Sequence, residues 1–379
     1  MPLFCLSIGL TQGEIGIKEV ICSITYLLFN IPTGWLADRL SRKVCNFIGD
    51  ILYGTSLVIL ALSTSFAGAT IAGVVMAFGN ACTHGADEAL FKAHCDKLGV
   101  DYENASKRLS IVLSCISPFY YACGGVITML YGMKTTLLIA SIPFFIAAFI
   151  SCFILEIGVH KEAPKAFPSS LKDRLKGELG GMVKVVLSAL LKKDKLAWLL
   201  MAYAVAATMG GPIMVFIGPM ILTVGRSEGE TGFAYILIAL MGVLGGWISL
   251  KASKRWPCSK VFLWTGVASL AVMALTSAHL VLWTVLLHIC IVHLVRRTIT
   301  ITLYPLVHKA APDDIQATIG SLMSSTSHAL YMIVVVVINF AGNHGVQWGI
   351  AANAILFLPL VAIVTLRMRQ QEKEEALTM

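Results

Sequence analysis

Ionisable side chains stranded inside apolar segments are where this sequence could do chemistry. Asp87-Glu88 and Arg296-Arg297 form two pairs of opposite sign, 209 positions apart. An unpaired charge inside a bilayer costs about 2.5–3.5 kcal/mol or more, so such residues face water, the bundle interior or one another. Two such pairs could form a gate by meeting and separating. The plainer alternative is that both lie at the membrane surface and end their segments. His288 and His293 share the segment of Arg296 and Arg297, and His288, His293 and Arg296 can share one broad helical face. His328 and Tyr331 form an i, i+3 pair on the next segment, beside Ser324, Ser325 and Ser327. Histidine changes charge near neutral pH, which suits proton coupling. Arginine beside histidine suits a carboxylate or another anion. Taken singly, each histidine could instead simply bond a neighbouring backbone carbonyl or hydroxyl.

Other polar residues extend this set. Asp50 lies two turns into its segment, and the nearby Arg42 and Lys43 make a supporting role for the charged turn before it the expected one. Asn80, Thr83 and His84 continue the polar face that ends in Asp87-Glu88. Tyr120 and Tyr121 suit packing as readily as substrate contact. No HxxxH pair or His-rich loop suggests a metal, and the ten cysteines are scattered without a CxxC pair. No Gly-Lys dipeptide occurs, so no phosphate-binding P-loop exists, and no nucleotide or other cofactor is expected.

The elements that must position these residues are membrane helices. The 379-residue chain is 57% hydrophobic and 13% charged, against about a quarter charged in soluble domains. Apolar runs of about 20 residues recur throughout, each long enough to cross a bilayer as a helix. They fall at roughly 19–37, 44–63, 66–91, 108–131, 135–156, 195–224, 231–250, 260–278, 280–304, 315–340 and 346–367. Residues 2–10 supply part of one more, which predicts a twelve-helix plan with a truncated first helix. The intervening loops then place 26 of the 29 Lys and Arg residues on one side and only Lys18, Lys134 and Arg226 on the other. Basic loops stay in the cytoplasm, so the net charge of +8 reports orientation rather than nucleic-acid binding. Loops 38–43 and 157–194 are therefore expected to be cytoplasmic.

The longest polar interruption, 157–194, divides the chain at its midpoint. Ser170 is a candidate N-cap there, and Leu171, Leu175, Leu179, Val183 and Val186 recur at helical spacing between basic residues, as in a helix lying on a membrane surface. The expected organisation is an N-terminal bundle over 1–156, a linker over 157–194, a C-terminal bundle over 195–367 and a tail over 368–379. The halves echo each other. Gly34-Trp35-Leu36-Ala37-Asp38-Arg39-Leu40-Ser41-Arg42-Lys43 returns 212 positions later as Gly246-Trp247-Ile248-Ser249-Leu250-Lys251-Ala252-Ser253-Lys254-Arg255. Leu250 stands where Asp38 would be. Parallel repeats of half a membrane protein point to a transporter. Gly124-Gly125 and Gly210-Gly211-Pro212 mark close helix contact or bending.

The 34–43 segment resembles the loop between helices two and three of the major facilitator superfamily, Gly-x-Leu-Ala-Asp-Arg-x-Gly-Arg-Lys. Gly34, Leu36, Ala37, Asp38, Arg39, Arg42 and Lys43 match it, and Ser41 replaces the second glycine. Ile31-Pro32-Thr33, the run Gly85–Leu90 and the run Ala317–Leu322 resemble the drug- and siderophore-efflux branches. Asn30 and Gln316 depart from them, standing where those exporters often carry Glu and Arg. The resemblance implies an all-α fold of two pseudo-symmetric six-helix bundles in a monomer of the inner membrane. It implies alternating access and proton-coupled export of a small molecule, with an importer on the same fold or a non-transporting sensor as alternatives. The anionic, siderophore-like substrate is suggested by Arg296, Arg297 and the histidines. The resemblance also implies that Asp38, Arg39, Arg42 and Lys43 latch helix ends, with Asp87 or Glu88 as the acidic partner.

Overall fold

The computed structural model describes residues 1–39, 41–83, 86–156, 195–310 and 316–378. The expected linker helix with Ser170, and His84, lie outside this set. The described residues are all-α, with no strand among them. The first compact unit, Leu3–Leu175, contains α1 (Pro2–Ser7), α2 (Gln12–Arg39), α3 (Arg42–Leu62), α4 (Phe66–Thr83), α5 (Ala86–Leu98) and α6 (Tyr102–Ser151). The second, Lys176–Met379, contains α7 (Lys195–Met209), a 3-10 turn (Pro212–Phe216), α8 (Ile217–Thr223), α9 (Glu230–Arg255), α10 (Cys258–Ala278), α11 (Leu282–Ala310), α12 (Gln316–Gly342) and α13 (Val346–Thr378).

Eight stretches among the described residues are long and apolar enough to cross a membrane. One of them, Cys115–Ser151, has 37 residues. At 1.5 Å per residue it would measure about 55 Å, far beyond a hydrocarbon core of about 30 Å. Gly132, at φ 80° and ψ 165°, breaks it into two crossings, a conformation glycine adopts without a Cβ penalty. This matches the expected spans at 108–131 and 135–156.

The expected span 195–224 is likewise interrupted, at Gly210-Gly211-Pro212 as the sequence suggested. Pro212 has no N–H to donate, and the chain tightens into a 3-10 turn before α8 resumes. Several boundaries differ from expectation; α2, for one, starts at Gln12 rather than 19. Helix α9 runs to Arg255 rather than 250, so Lys251, Lys254 and Arg255 ride on its last turns instead of in a loop. Helix α13 continues without a break from 367 to Thr378, so the expected tail is the end of a helix, anchored by the buried Met368.

Small residues let the helices of each unit approach closely. A Cβ on Gly49 of α3 would lie 2.4 Å from Thr83 Cγ2 and 2.8 Å from Gly79 O of α4. A Cβ on Gly245 of α9 would lie 2.6 Å from Leu294 O and 3.0 Å from Arg297 Cβ of α11. In lipid there is little hydrophobic drive between helices, and such contact is what holds them. Beside Gly245, Thr298 Oγ1 donates to Gly245 O at 3.1 Å, and Ser249 and Thr302 share a hydroxyl bond at 2.9 Å. The face of α11 that carries Arg297 is thus locked onto α9.

Candidate functional site

The charged turn between α2 and α3 is built on capping. Ser41 is the N-cap of α3, and its hydroxyl accepts from Val44 N at 3.0 Å. The same hydroxyl donates to a carboxylate oxygen of Glu156, just past the end of α6, and Arg42 N donates to the other at 2.8 Å. A carboxylate on the exposed N–H groups of a helix start is favoured by both the orphan donors and the helix dipole. The contact is reciprocal, because Lys43 Nζ donates to Cys152 O at 2.6 Å and so satisfies a carbonyl at the end of α6. Glu156 is not the acidic partner that the sequence points to, which is Asp87 or Glu88. It joins two helices of the same unit, which makes it a brace of that unit.

The second unit repeats the brace. Ser259 N donates to Glu372 Oε1 at 2.9 Å and Ser259 Oγ donates to Glu372 Oε2, tying the start of α10 to the last turns of α13. Glu156 and Glu372 are 216 positions apart, and so are two further features. Thr11 and Glu14 form a capping box at the start of α2, with Thr11 N to Glu14 Oε2 at 2.8 Å and Glu14 N to Thr11 Oγ1 at 3.2 Å. Ser227 and Glu230 make a looser version before α9, with Ser227 Oγ to Glu230 Oε1 at 3.3 Å. The S/T-x-x-E spacing is the signal in the sequence that marks both. The 212-residue echo pairs Ser41 with Ser253. The glutamate braces instead pair Ser41 with Ser259 by role, since Ser253 lies inside α9 and the N-cap of α10 is Pro257.

Asp50 is half-buried on α3, about 12 Å along from its start at 1.5 Å per residue. Among the described residues it has no hydrogen bond and no ion pair. The charge it feels is Asp87, at the first turn of α5 and itself exposed. This corrects the expectation that Asp50 supports Arg42 and Lys43: Lys43 is spent on Cys152 O, and the neighbour of Asp50 is a second carboxylate. Asn80 is exposed on α4, one turn before Thr83, whose hydroxyl donates to Asn80 O at 3.2 Å. Thr33 is buried, with its hydroxyl 2.7 Å from both Phe29 O and Ala81 O, so the Ile-Pro-Thr turn of α2 is stitched to α4. The backbone of α2 is helical through Gly34, Asp38 and Arg39, and that of α5 through Glu88. The side chains of Asp38, Arg39 and Glu88 lie outside the described set.

Lys18 is a loop cation by the count of charges in the sequence. It sits instead on α2, buried, with Nζ 2.8 Å from Glu19 Oε1. The burial is legible only in three dimensions, where α4 covers it at Gly73.

In the second unit the break after α7 meets the basic pair. Gly211 N turns back to Thr208 O at 3.1 Å, one residue short of the α-helical partner, Ala207 O. Arg296 Nε takes up Ala207 O at 3.1 Å. The approach requires glycine at 210, since a Cβ there would stand 2.9 Å from Val292 Cγ1 and 3.1 Å from Arg296 Cδ. A guanidinium is thus held against the negative end of a broken helix, and among the described residues its other donors have no partner. Arg296 is half-buried and Arg297 exposed.

His288 and His293 are both buried on α11, 1% and 4% exposed, and neither ring nitrogen of His288 has a partner among the described residues. His328 is different. Its Nδ1 lies 2.9 Å from Ser324 O, the plain backbone bond that its spacing also allowed. Tyr331 is half-buried one turn on. The site thus falls into two clusters, an acidic one in the first unit and a basic, histidine-rich one in the second. One further polar residue carries no motif in the sequence. Asn353, fully buried on α13, donates to Met209 O at 3.0 Å and so serves a carbonyl at the end of α7.

Apolar membrane-crossing helices, charged turns capped within each half and a broken helix facing an arginine define a multi-pass membrane transporter rather than an enzyme. The sequence matches the Major Facilitator Superfamily over residues 1–336, and the chain belongs to that family. The fold is shared with solved transporters. It is similar to the nucleoside transporter NupG in a mutant form, with TM-score 0.74 and 14% identity over 97% of this chain and 93% of that one. It is also similar to a bacterial homolog of the human lysosomal transporter Spinster, inward-facing and unoccupied, with TM-score 0.68 and 15% identity over 96% and 91%. A D-xylose–proton symporter follows at TM-score 0.70 and 10% identity over 97% and 90%. No curated protein matches the sequence.

Proposed function

We propose that the protein is a proton-coupled secondary transporter that exports a small anionic molecule across the inner membrane, as a monomer, by alternating access of two six-helix halves joined by the 157–194 linker. One observation carries the choice of an anion. Arg296 is anchored through a single donor to the carbonyl end of the broken α7, which leaves the rest of its fork for a carboxylate, with His293 one turn away. A discontinuous helix at the ligand is a recurring device of secondary transporters.

The proton site in this reading is Asp50. A carboxylate inside a membrane helix, without a cation partner among the described residues and beside a second carboxylate, is suited to take up and release a proton. Loading and release of that proton would bias the first half between its arrangements. Energy would come from the gradient. The charged turns of α2–α3 and α9–α10 are assigned to the cytoplasmic side, on the count of basic residues. The pairing of Glu88 with Arg297 as a gate is part of the proposal; its test is exchange of the two charges, which should recover transport that each single change abolishes.

The deciding experiment is flux in proteoliposomes. With the purified protein and a panel of dicarboxylates, siderophores and sugars, an imposed pH gradient should drive accumulation of the anions and not of the sugars. Sugar accumulation with no anion movement would overturn the substrate class. Binding without flux of any solute would overturn the transport reading. Accumulation of the same anion in a deletion strain, above the parent level, is the expected sign of export.

A further inference from the structure

The turn between α9 and α10 has a different character from its counterpart between α2 and α3. In the first unit Lys43 and the Arg42 backbone are spent on α6. In the second, Lys251, Lys254, Arg255 and Lys260 are all exposed, and none has a carboxylate partner among the described residues. No Asp or Glu occurs between Glu230 and Asp313. The carboxylate that reaches this turn, Glu372, is taken up by Ser259 on the inner face.

These cations are the ends of two lipid-facing stripes. On α9, Val243, Trp247 and Leu250 are 57%, 56% and 63% exposed at spacings of four and three, and Lys254 follows on the same face. Apolar side chains so bare on a membrane helix face acyl chains. Tryptophan and then lysine at the end of such a stripe mark the headgroup level. Lys251 Nζ lies 3.6 Å from the centre of the Trp247 ring, which fixes the ammonium at that level. On α10 the order is mirrored: Lys260 precedes Trp264 and Val267, 59% and 44% exposed, with Lys260 Nζ 5.7 Å from the Trp256 ring. Leu250 stands where the first repeat has Asp38, so this turn lacks the acid of its counterpart.

We infer that the α9–α10 turn binds the headgroup of an anionic phospholipid. The phosphate and any second negative group lie among Lys251, Lys254, Arg255 and Lys260, and the acyl chains run along the Trp247 and Trp264 stripes. The inference does not depend on what the protein transports or on the side of the membrane that holds the turn.

The test uses the full chain in detergent, titrated with phosphatidylglycerol and with phosphatidylcholine of the same acyl chains. Bound lipid is counted by native mass spectrometry. The wild type should retain phosphatidylglycerol in preference to phosphatidylcholine. Because each cation near the surface attracts an anionic headgroup, the preference should fall at least about tenfold in the variant carrying Lys251→Gln, Lys254→Gln, Arg255→Gln and Lys260→Gln. A control carrying Arg367→Gln and Arg369→Gln should keep it. If the fourfold variant does not fold, Lys251→Gln with Lys260→Gln carries the same test with a smaller fall. Equal retention of both lipids by the wild type overturns the inference, and so does an equal fall in the variant and the control.

Discussion

The two halves of this transporter are built to one plan and charged to two. Each begins its second helix with a hydroxyl–glutamate pair, Thr11/Glu14 and Ser227/Glu230, and each ties the start of its third helix to the end of its sixth through a glutamate, Glu156 and Glu372. Each also packs two helices over a glycine that tolerates no Cβ, though on different pairs, α3 with α4 and α9 with α11. The first half then adds Asp50 and Asp87, and the second adds His288, His293, Arg296 and Arg297. The shared parts satisfy backbone groups at helix ends, which every membrane helix must do. The unshared parts are ionisable, and one of them, Arg296, meets the carbonyl end of a broken helix. The difference suggests a division of labour: what is repeated holds the bundle, and in the proposed function the unrepeated Asp50 and Arg296 serve proton and ligand.

The comparison is easiest to break at its most asymmetric point. Arg296→Met should cost at least about 2 kcal/mol of substrate binding, roughly thirtyfold in apparent affinity, because it removes a held charge. Arg296→Lys should recover little, since the fork that binds Ala207 O and a carboxylate together is lost. Substrate-induced shifts in melting temperature measure both. If Arg296→Met binds the anion as the wild type does, the arginine belongs to the frame.

Asp50→Asn tests the acidic side. It should abolish accumulation driven by a pH gradient and leave solute counterflow, which needs no net proton movement. Equal loss of both would make Asp50 structural. Two glycine substitutions then ask whether the frames are equivalent. Gly49→Ala and Gly245→Ala should each cost about 1–3 kcal/mol, because each new methyl meets backbone that cannot move aside. Thermal unfolding in detergent would show a fall for both; a fall for only one would show that one of the two close contacts does not limit stability.

The braces should be weaker. Glu156→Gln and Glu372→Gln each remove the charge from a doubly bonded cap at a half-buried site, worth about 1–2 kcal/mol. Equal falls in melting temperature sharpen the comparison, and unequal falls show which half limits stability. The smallest effect belongs to Glu14. The Thr11 N–H and hydroxyl hold its carboxyl below the usual carboxylate range. Its contribution is therefore complete above about pH 4.3 and is lost as the pH falls through the lower folded value. Melting followed from pH 6 to 3 should fall less steeply in Glu14→Gln than in the wild type.

Much of the frame is legible in residue types. The spans follow from runs of apolar residues, and the interruption of α7 from Gly210-Gly211-Pro212. The capping boxes are written as S/T-x-x-E, a short pattern that stands out less than the charged turns near it. Glu156 and Glu372 carry a weaker signal, their 216-residue separation. That signal is hidden by the 212-residue echo, which aligns letters rather than helix ends. His328 settles on its own backbone, the plain alternative that spacing cannot separate from a functional one.

The sequence by itself determined that this chain is a membrane protein of apolar helices with an internal repeat, because hydrophobic length and the chemistry of helix ends are local properties. Only the tertiary structure decided which charges are spent and which are free. Lys43 and Lys251 are both cations of the repeated charged turn, yet one caps α6 and the other lies over Trp247 at the surface. Lys18 counts as a loop cation in the sequence and is buried against Glu19. Whether a charge is held, buried or available depends on the carbonyls, rings and carboxylates that distant helices bring to it, and no single segment carries that information.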